Sequence, residues 1–173
     1  MSAIEARPSI GPVQVGVILL ALAAGIIHLY LFLIEGFLGD SSMLPFYQVL
    51  FVANFFGYVT LAAALYLPSP LLARLRPVVR VLLISMSVAA IISYFYVNVI
   101  DALGNTTKVI EVLLIVLLTV ETSMAGNERA EGGEGARGGV LRAVIELVIG
   151  IAFGIAMVFV MFLLLRPLLE SFL

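Results

Sequence analysis

An all-α bundle of five transmembrane helices is the fold this sequence predicts, and three observations predict it. Hydrophobic residues make up 63% of the 173-residue chain and charged residues only 12%, against about 45–50% and about 25% in soluble domains. A water-soluble fold has too little interior to hide that much apolar surface. The apolar residues fall into five runs, about 13–34, 44–67, 78–100, 106–125 and 140–165. Each run is near the roughly 20 residues needed to cross a hydrocarbon core of roughly 30 Å. The basic residues supply the third observation. With five spans, Arg7, Arg74, Arg76, Arg80, Arg129, Arg137 and Arg142 share one side, and only Lys108 and Arg166 lie on the other. That asymmetry in short loops predicts a cytoplasmic N-terminus and an external C-terminus in a cell membrane.

The lead-in, residues 1–12, is polar and carries Pro8, Gly11 and Pro12, so it is expected to be irregular and cytoplasmic. Arg7, the apolar run after it and Ala21-Leu22-Ala23 mimic the three parts of a cleavable signal, but the run continues well past Ala23 and reads as an uncleaved anchor. The first span, Val13–Ile34, has no formal charge and holds the chain's one histidine, His28. Three- and four-residue spacing puts His28 on a face with Ala21, Ala24, Gly25, Phe32 and Glu35. Small residues such as Gly25 mark where another helix comes close, so this face is predicted to point into the bundle.

Glu35–Met43 contains two glycines and reads as a break. The second span opens with Pro45, tolerated in a first helical turn, and closes at Pro68-Ser69-Pro70. Arg74, Arg76 and Arg80 then lie at the cytoplasmic surface, where they attract anionic lipid headgroups or simply fix topology. Asp101–Thr107 is a tight turn, and its Asn105-Thr106-Thr107 is a glycosylation sequon on the external side. The fourth span is the least apolar because Glu111 and Glu121 fall inside it. Gly126–Gly139 is glycine-rich with mixed charges, a mobile cytoplasmic linker. It divides a four-helix membrane unit, 13–125, from a fifth helix with a short external tail, 140–173. In that helix Arg142 and Glu146 are spaced for a local ion pair. Gly150 and Gly154 form a Gly-x-x-x-Gly contact, either within the bundle or between copies.

Ionisable and polar residues inside spans are costly and therefore functional suspects. Sorted by depth, His28, Asn54, Tyr94, Tyr96, Asn98 and Glu111 converge near the external face, as a ligand pocket or ion vestibule requires. The plainer reading stands beside it: the tyrosines are interface anchors, His28 bonds across helices, and Glu35, Asp101 and Lys108 sit at the water boundary. A His28–Glu111 pair is the sharpest form of the functional reading, because a carboxylate beside an imidazole makes a proton-handling couple.

Several chemistries are excluded. The chain has no cysteine, hence no disulfide, thiol catalysis or thiolate-held metal. One histidine cannot build a bis-histidine haem or a histidine-rich metal site, so no metal site is predicted and no cofactor is indicated. No H-E-x-x-H, G-x-S-x-G or phosphate-binding glycine loop occurs, and no catalytic residue is assigned. A net charge of −2 gives no case for nucleic acid.

Gly25-Ile26-Ile27-His28-Leu29-Tyr30-Leu31, Asn54-Phe55-Phe56-Gly57 and the stretch from Leu103-Gly104 through Lys108-Val109-Ile110-Glu111 resemble small four-span archaeal membrane proteins of unassigned function, haloarchaeal ones especially. The resemblance covers about residues 15–125. It implies a four-helix unit with an added helix, and no activity. Two functions follow from the residues. The first is a non-catalytic accessory or assembly subunit of a larger membrane complex, or a homo-oligomer built on the Gly150/Gly154 face, with lipids and other membrane subunits as partners. The alternative is a small transporter, channel or ligand-binding membrane protein that uses the outer polar cluster around His28 and Glu111.

Overall fold

Prolines set where three helices begin. Pro12, Pro45 and Pro70 each occupy the first helical position, where the missing N–H has no intrahelical partner to lose and the ring presets φ. The computed structural model describes residues 10–39, 43–97, 101–128 and 135–171. Its long helices are α1 (Pro12–Leu31), α2 (Pro45–Tyr66), α3 (Pro70–Val97), α4 (Ala102–Glu128) and α5 (Gly135–Val160), followed by a short α6 (Arg166–Ser171). α1 and α5 each run on into a π-helical turn, Phe32–Phe37 and Met161–Leu165.

α1 packs on α2 and α4, α2 on α3, and α3 on α4, which closes a four-helix ring; α5 packs against both α3 and α4 from outside it. Short connections make consecutive helices antiparallel. The start of α1, the end of α2, the start of α3, the end of α4 and the start of α5 therefore share one end, which carries Arg74, Arg76, Arg80 and Arg142. The middle of the ring is apolar: Val17, Ala21, Leu83, Leu114 and Leu118 have no exposed surface. Ala21, Ala24, Gly25 and His28 form the buried face of α1, with Gly25 against Tyr58 and Phe55 of α2. Glu35, expected on that face, is exposed, because the wider π turn breaks the four-residue register beyond Leu31.

The outside inverts the pattern of a soluble protein. Leu19, Ile26, Phe56, Phe153 and Phe159 are all exposed, a density of apolar surface that water does not tolerate. Among the described residues, four helices, Pro12–Phe37, Pro45–Tyr66, Pro70–Val97 and Gly138–Leu168, are long and apolar enough to cross a membrane. The protein is an all-α, membrane-associated, multi-span bundle. α4 differs because it carries Lys108, Glu111 and Glu121, and it turns the two glutamates inward, Glu111 with no exposure.

Three boundaries depart from the expected ones. α3 starts at Pro70, not at 78, so Arg74, Arg76 and Arg80 stand on its first turns and Pro77 lies inside the helix. Pro77 lacks only the one hydrogen bond to the Ala73 carbonyl, a loss close enough to the helix start for the turns beyond it to continue. α5 begins at Gly135, so Gly135–Gly139 are helical; residues 129–134 of the expected linker lie outside the described residues. Asn105 is in the first turn of α4, its N–H 3.0 Å from the Asp101 carbonyl oxygen, not in a loop.

Close approach is softer at some glycines than at others. A Cβ on Gly57 would meet only the sulfur and methyl of Met86, the adaptable end of a flexible side chain. Gly57→Ala is expected to leave stability within about 1 kcal/mol of wild type, the helix-propensity gain offsetting the shift of Met86. Thermal unfolding in detergent reads this out.

Candidate functional site

His28 stands in the last turn of α1, on its buried face, and its ring orientation is fixed locally. Nδ1 is 2.8 Å from the carbonyl oxygen of Ala24, one turn earlier. A carbonyl only accepts, so Nδ1 carries the hydrogen and Nε2 is left with its lone pair. Nε2 faces Oε1 of Glu111 on α4 at 3.8 Å. The ring lies against Phe51 and Tyr58 of α2, with centroids 5.9 and 5.7 Å away.

Glu111 is the centre of the arrangement. One carboxylate oxygen accepts from the Tyr58 hydroxyl at 3.1 Å, and the other pairs with Nζ of Lys108, one turn back on α4. The single Tyr58 hydrogen lies between Glu111 and Ser87 of α3, whose Oγ is 3.3 Å away and itself donates to the Leu83 carbonyl at 3.0 Å. All four helices of the ring thus meet in one buried polar cluster. Lys108 and Glu111 are direct charge partners within it. The arrangement can hold a proton, and it can present a donor or acceptor to a small molecule.

A cavity of about 490 Å³ opens beside it, lined by His28, Phe51, Asn54, Tyr94 and Lys108, with Asp101 among the residues at its mouth. Of the residues expected to converge, His28 and Glu111 face each other, while Asn54 and Tyr94 line the cavity without joining the cluster. Tyr94 is held at its rim: its hydroxyl donates to Asn105 Oδ1 at 3.0 Å and accepts from the Asp101 N–H at 3.2 Å. Tyr96 is 66% exposed and packs on Phe162 at 4.7 Å; on α3 it stands two residues from Tyr94 and so points elsewhere. Asn98 lies outside the described residues.

Three members were not anticipated: Lys108, Tyr58 and Ser87. Lys108 is drawn inside, its side chain only 11% exposed, because α4 starts four residues before the span boundary expected from hydropathy. Tyr58 did carry a signal, since it shares a helical face with Ala62 and Leu65, all three buried. Tyr58→Phe is expected to cost about 1.5 kcal/mol, the worth of a hydrogen bond to a buried carboxylate, read as a lower unfolding midpoint at unchanged gel-filtration volume.

A second polar cluster occupies the arginine end. Glu121 accepts from Tyr66 at 3.1 Å and from Gln14 at 3.5 Å. Glu146 accepts from Arg142 at 2.9 Å and from Thr122 at 3.2 Å. Arg80 sits between the two glutamates, 3.8 and 3.7 Å from them. Gly150 and Gly154 face α3 of the same chain, against Ile84 and Val88. Among the described residues, no group of three His, Cys, Asp or Glu side chains is placed to hold a metal ion.

No family model matches this chain, and no curated protein or solved structure is similar to it.

Proposed function

We propose that this protein is a small proton-coupled transporter whose solute enters the 490 Å³ cavity beside His28 and Glu111. The observation that carries the reading is the buried contact of His28 and Lys108 with Glu111 at the wall of that cavity. Ionisable groups inside a membrane are expensive, and they mark ion or substrate pathways by default. Packing alone is a weak reason for them, since a buried ion pair adds little stability over apolar side chains of the same volume. The cavity mixes an aromatic wall, Phe51, with Asn54, His28 and Lys108, which fits a small amphipathic solute. In this reading α4 crosses the membrane with its neighbours and the arginine end is cytoplasmic, so the solute cavity opens outward. A homo-oligomer on the Gly150/Gly154 face has less support, because α3 already occupies that face.

Proteoliposomes containing an entrapped pH indicator test it. Amino acids, organic cations and monocarboxylates are added in turn across an imposed pH gradient. At least one class is expected to move protons with wild type and not with His28→Ala or Glu111→Gln, both variants eluting as wild type from gel filtration. If no class changes the internal pH, or if both variants behave as wild type, the reading fails.

A further inference from the structure

The arginine end holds a second cavity, of about 740 Å³, and its lining is cationic: Arg74, Arg76, Arg80 and Arg142 against one carboxylate, Glu121. Glu146 lies just behind it, so the four guanidinium groups exceed the nearby carboxylates by two charges. Arg80 is the deepest of them, 7% exposed. Its Nε–H is buried and has no hydrogen-bond partner among the described residues, and the same is true of Nε of Arg76.

The neighbouring glutamates do not serve them. Glu121 is engaged by Tyr66 and Gln14 and Glu146 by Arg142 and Thr122. Both stand 3.7–3.8 Å from Arg80, inside Coulombic range and beyond hydrogen-bond length. A buried guanidinium donor left unmatched costs free energy, and two of them on one cavity wall describe a receptor lacking its acceptor. Residues four apart, Arg76 and Arg80, stand on one face of α3. Their planar forks suit a tetrahedral oxyanion, which takes two parallel N–H donors from each.

We infer that this cavity is a binding site for a phosphate-bearing anion, held between Arg76 and Arg80 with Arg74 and Arg142 at the rim. The observations behind this site, the unmatched Nε groups of Arg76 and Arg80, are separate from those at His28 and Glu111, and its test reads binding and not transport. The same chemistry is offered by the phosphodiester of an anionic lipid and by free phosphate in solution, and the two sources separate experimentally.

Wild type, Arg76→Gln and Arg80→Gln are placed in nanodiscs of phosphatidylcholine alone or with phosphatidylglycerol. Native mass spectrometry reads retained lipid, and thermal unfolding with inorganic phosphate, sulfate or chloride reads soluble-anion binding. Arg76 is the primary variant, since it lies nearer the surface and its loss leaves Arg80 between its glutamates. Wild type is expected to retain phosphatidylglycerol over phosphatidylcholine, or to be stabilised by phosphate over chloride, with apparent affinity about tenfold weaker in Arg76→Gln. Lipid retention alone assigns the site to a headgroup; stabilisation by phosphate alone assigns it to a soluble anion. No preference in either arm, or a preference that both variants keep in full, overturns the inference.

Discussion

Glu111→Leu is expected to destabilise the bundle by about 3–5 kcal/mol, the cost of breaking a buried ion pair from one side. The substitution removes the acceptor for Tyr58 and the counter-charge for Lys108 at one stroke, and no other carboxylate in the cluster replaces it. The double variant Lys108→Met/Glu111→Leu is expected to recover most of the loss, because removing both charges leaves nothing to desolvate. The unfolding midpoint in detergent separates the two cases. If the single variant were as stable as wild type, Lys108 would be satisfied from the cavity it lines, and Glu111 would not be the centre of the cluster.

Gly154→Leu carries the second large effect. A Cβ at this position would lie 2.7 Å from the Ser85 carbonyl oxygen and 2.7 Å from Cβ of Val88. Neither atom can give way: one is backbone, and the other is the branch point of a buried side chain on the same helix. α5 would have to back off from α3 along its length, and a loss of about 3 kcal/mol is expected, at the upper end of overpacking costs. The contrast with Gly57→Ala, where only the tip of Met86 moves, distinguishes rigid contact from mere proximity. Equal unfolding midpoints for the two variants would contradict it.

Much of the bundle is legible in the sequence because lipid imposes one rule on every span. Pro45 at its helix start and the small-residue face of α1 need no tertiary information, and His28 and Glu111 stand out because an ionisable group in an apolar run has few innocent explanations. The remaining members of the site do not stand out. Ser87 and Tyr58 are ordinary membrane residues until helices α2 and α3 are set beside each other. Lys108 reads as a boundary residue until α4 is found to begin at Ala102. The arginines of α3 illustrate the converse error: Pro68-Ser69-Pro70 ends one helix, but the next starts at once, which carries Arg80 from an expected surface into the interior. Hydropathy marks where a chain becomes greasy; it does not mark where it becomes helical.

The dry middle of the ring, Val17 to Leu118, has an electrical consequence. Under the proposed transport, water and ions entering both cavities would carry the bulk potential with them, and a membrane voltage would drop over the short stretch between Glu111 and Glu121, about 15 Å of helix. Moving one elementary charge across a full drop of 100 mV is worth about 2.3 kcal/mol. A proton carried between the two cavities by the proposed transporter would thus harvest nearly the whole voltage, with the direction of flow set by the polarity of the cell.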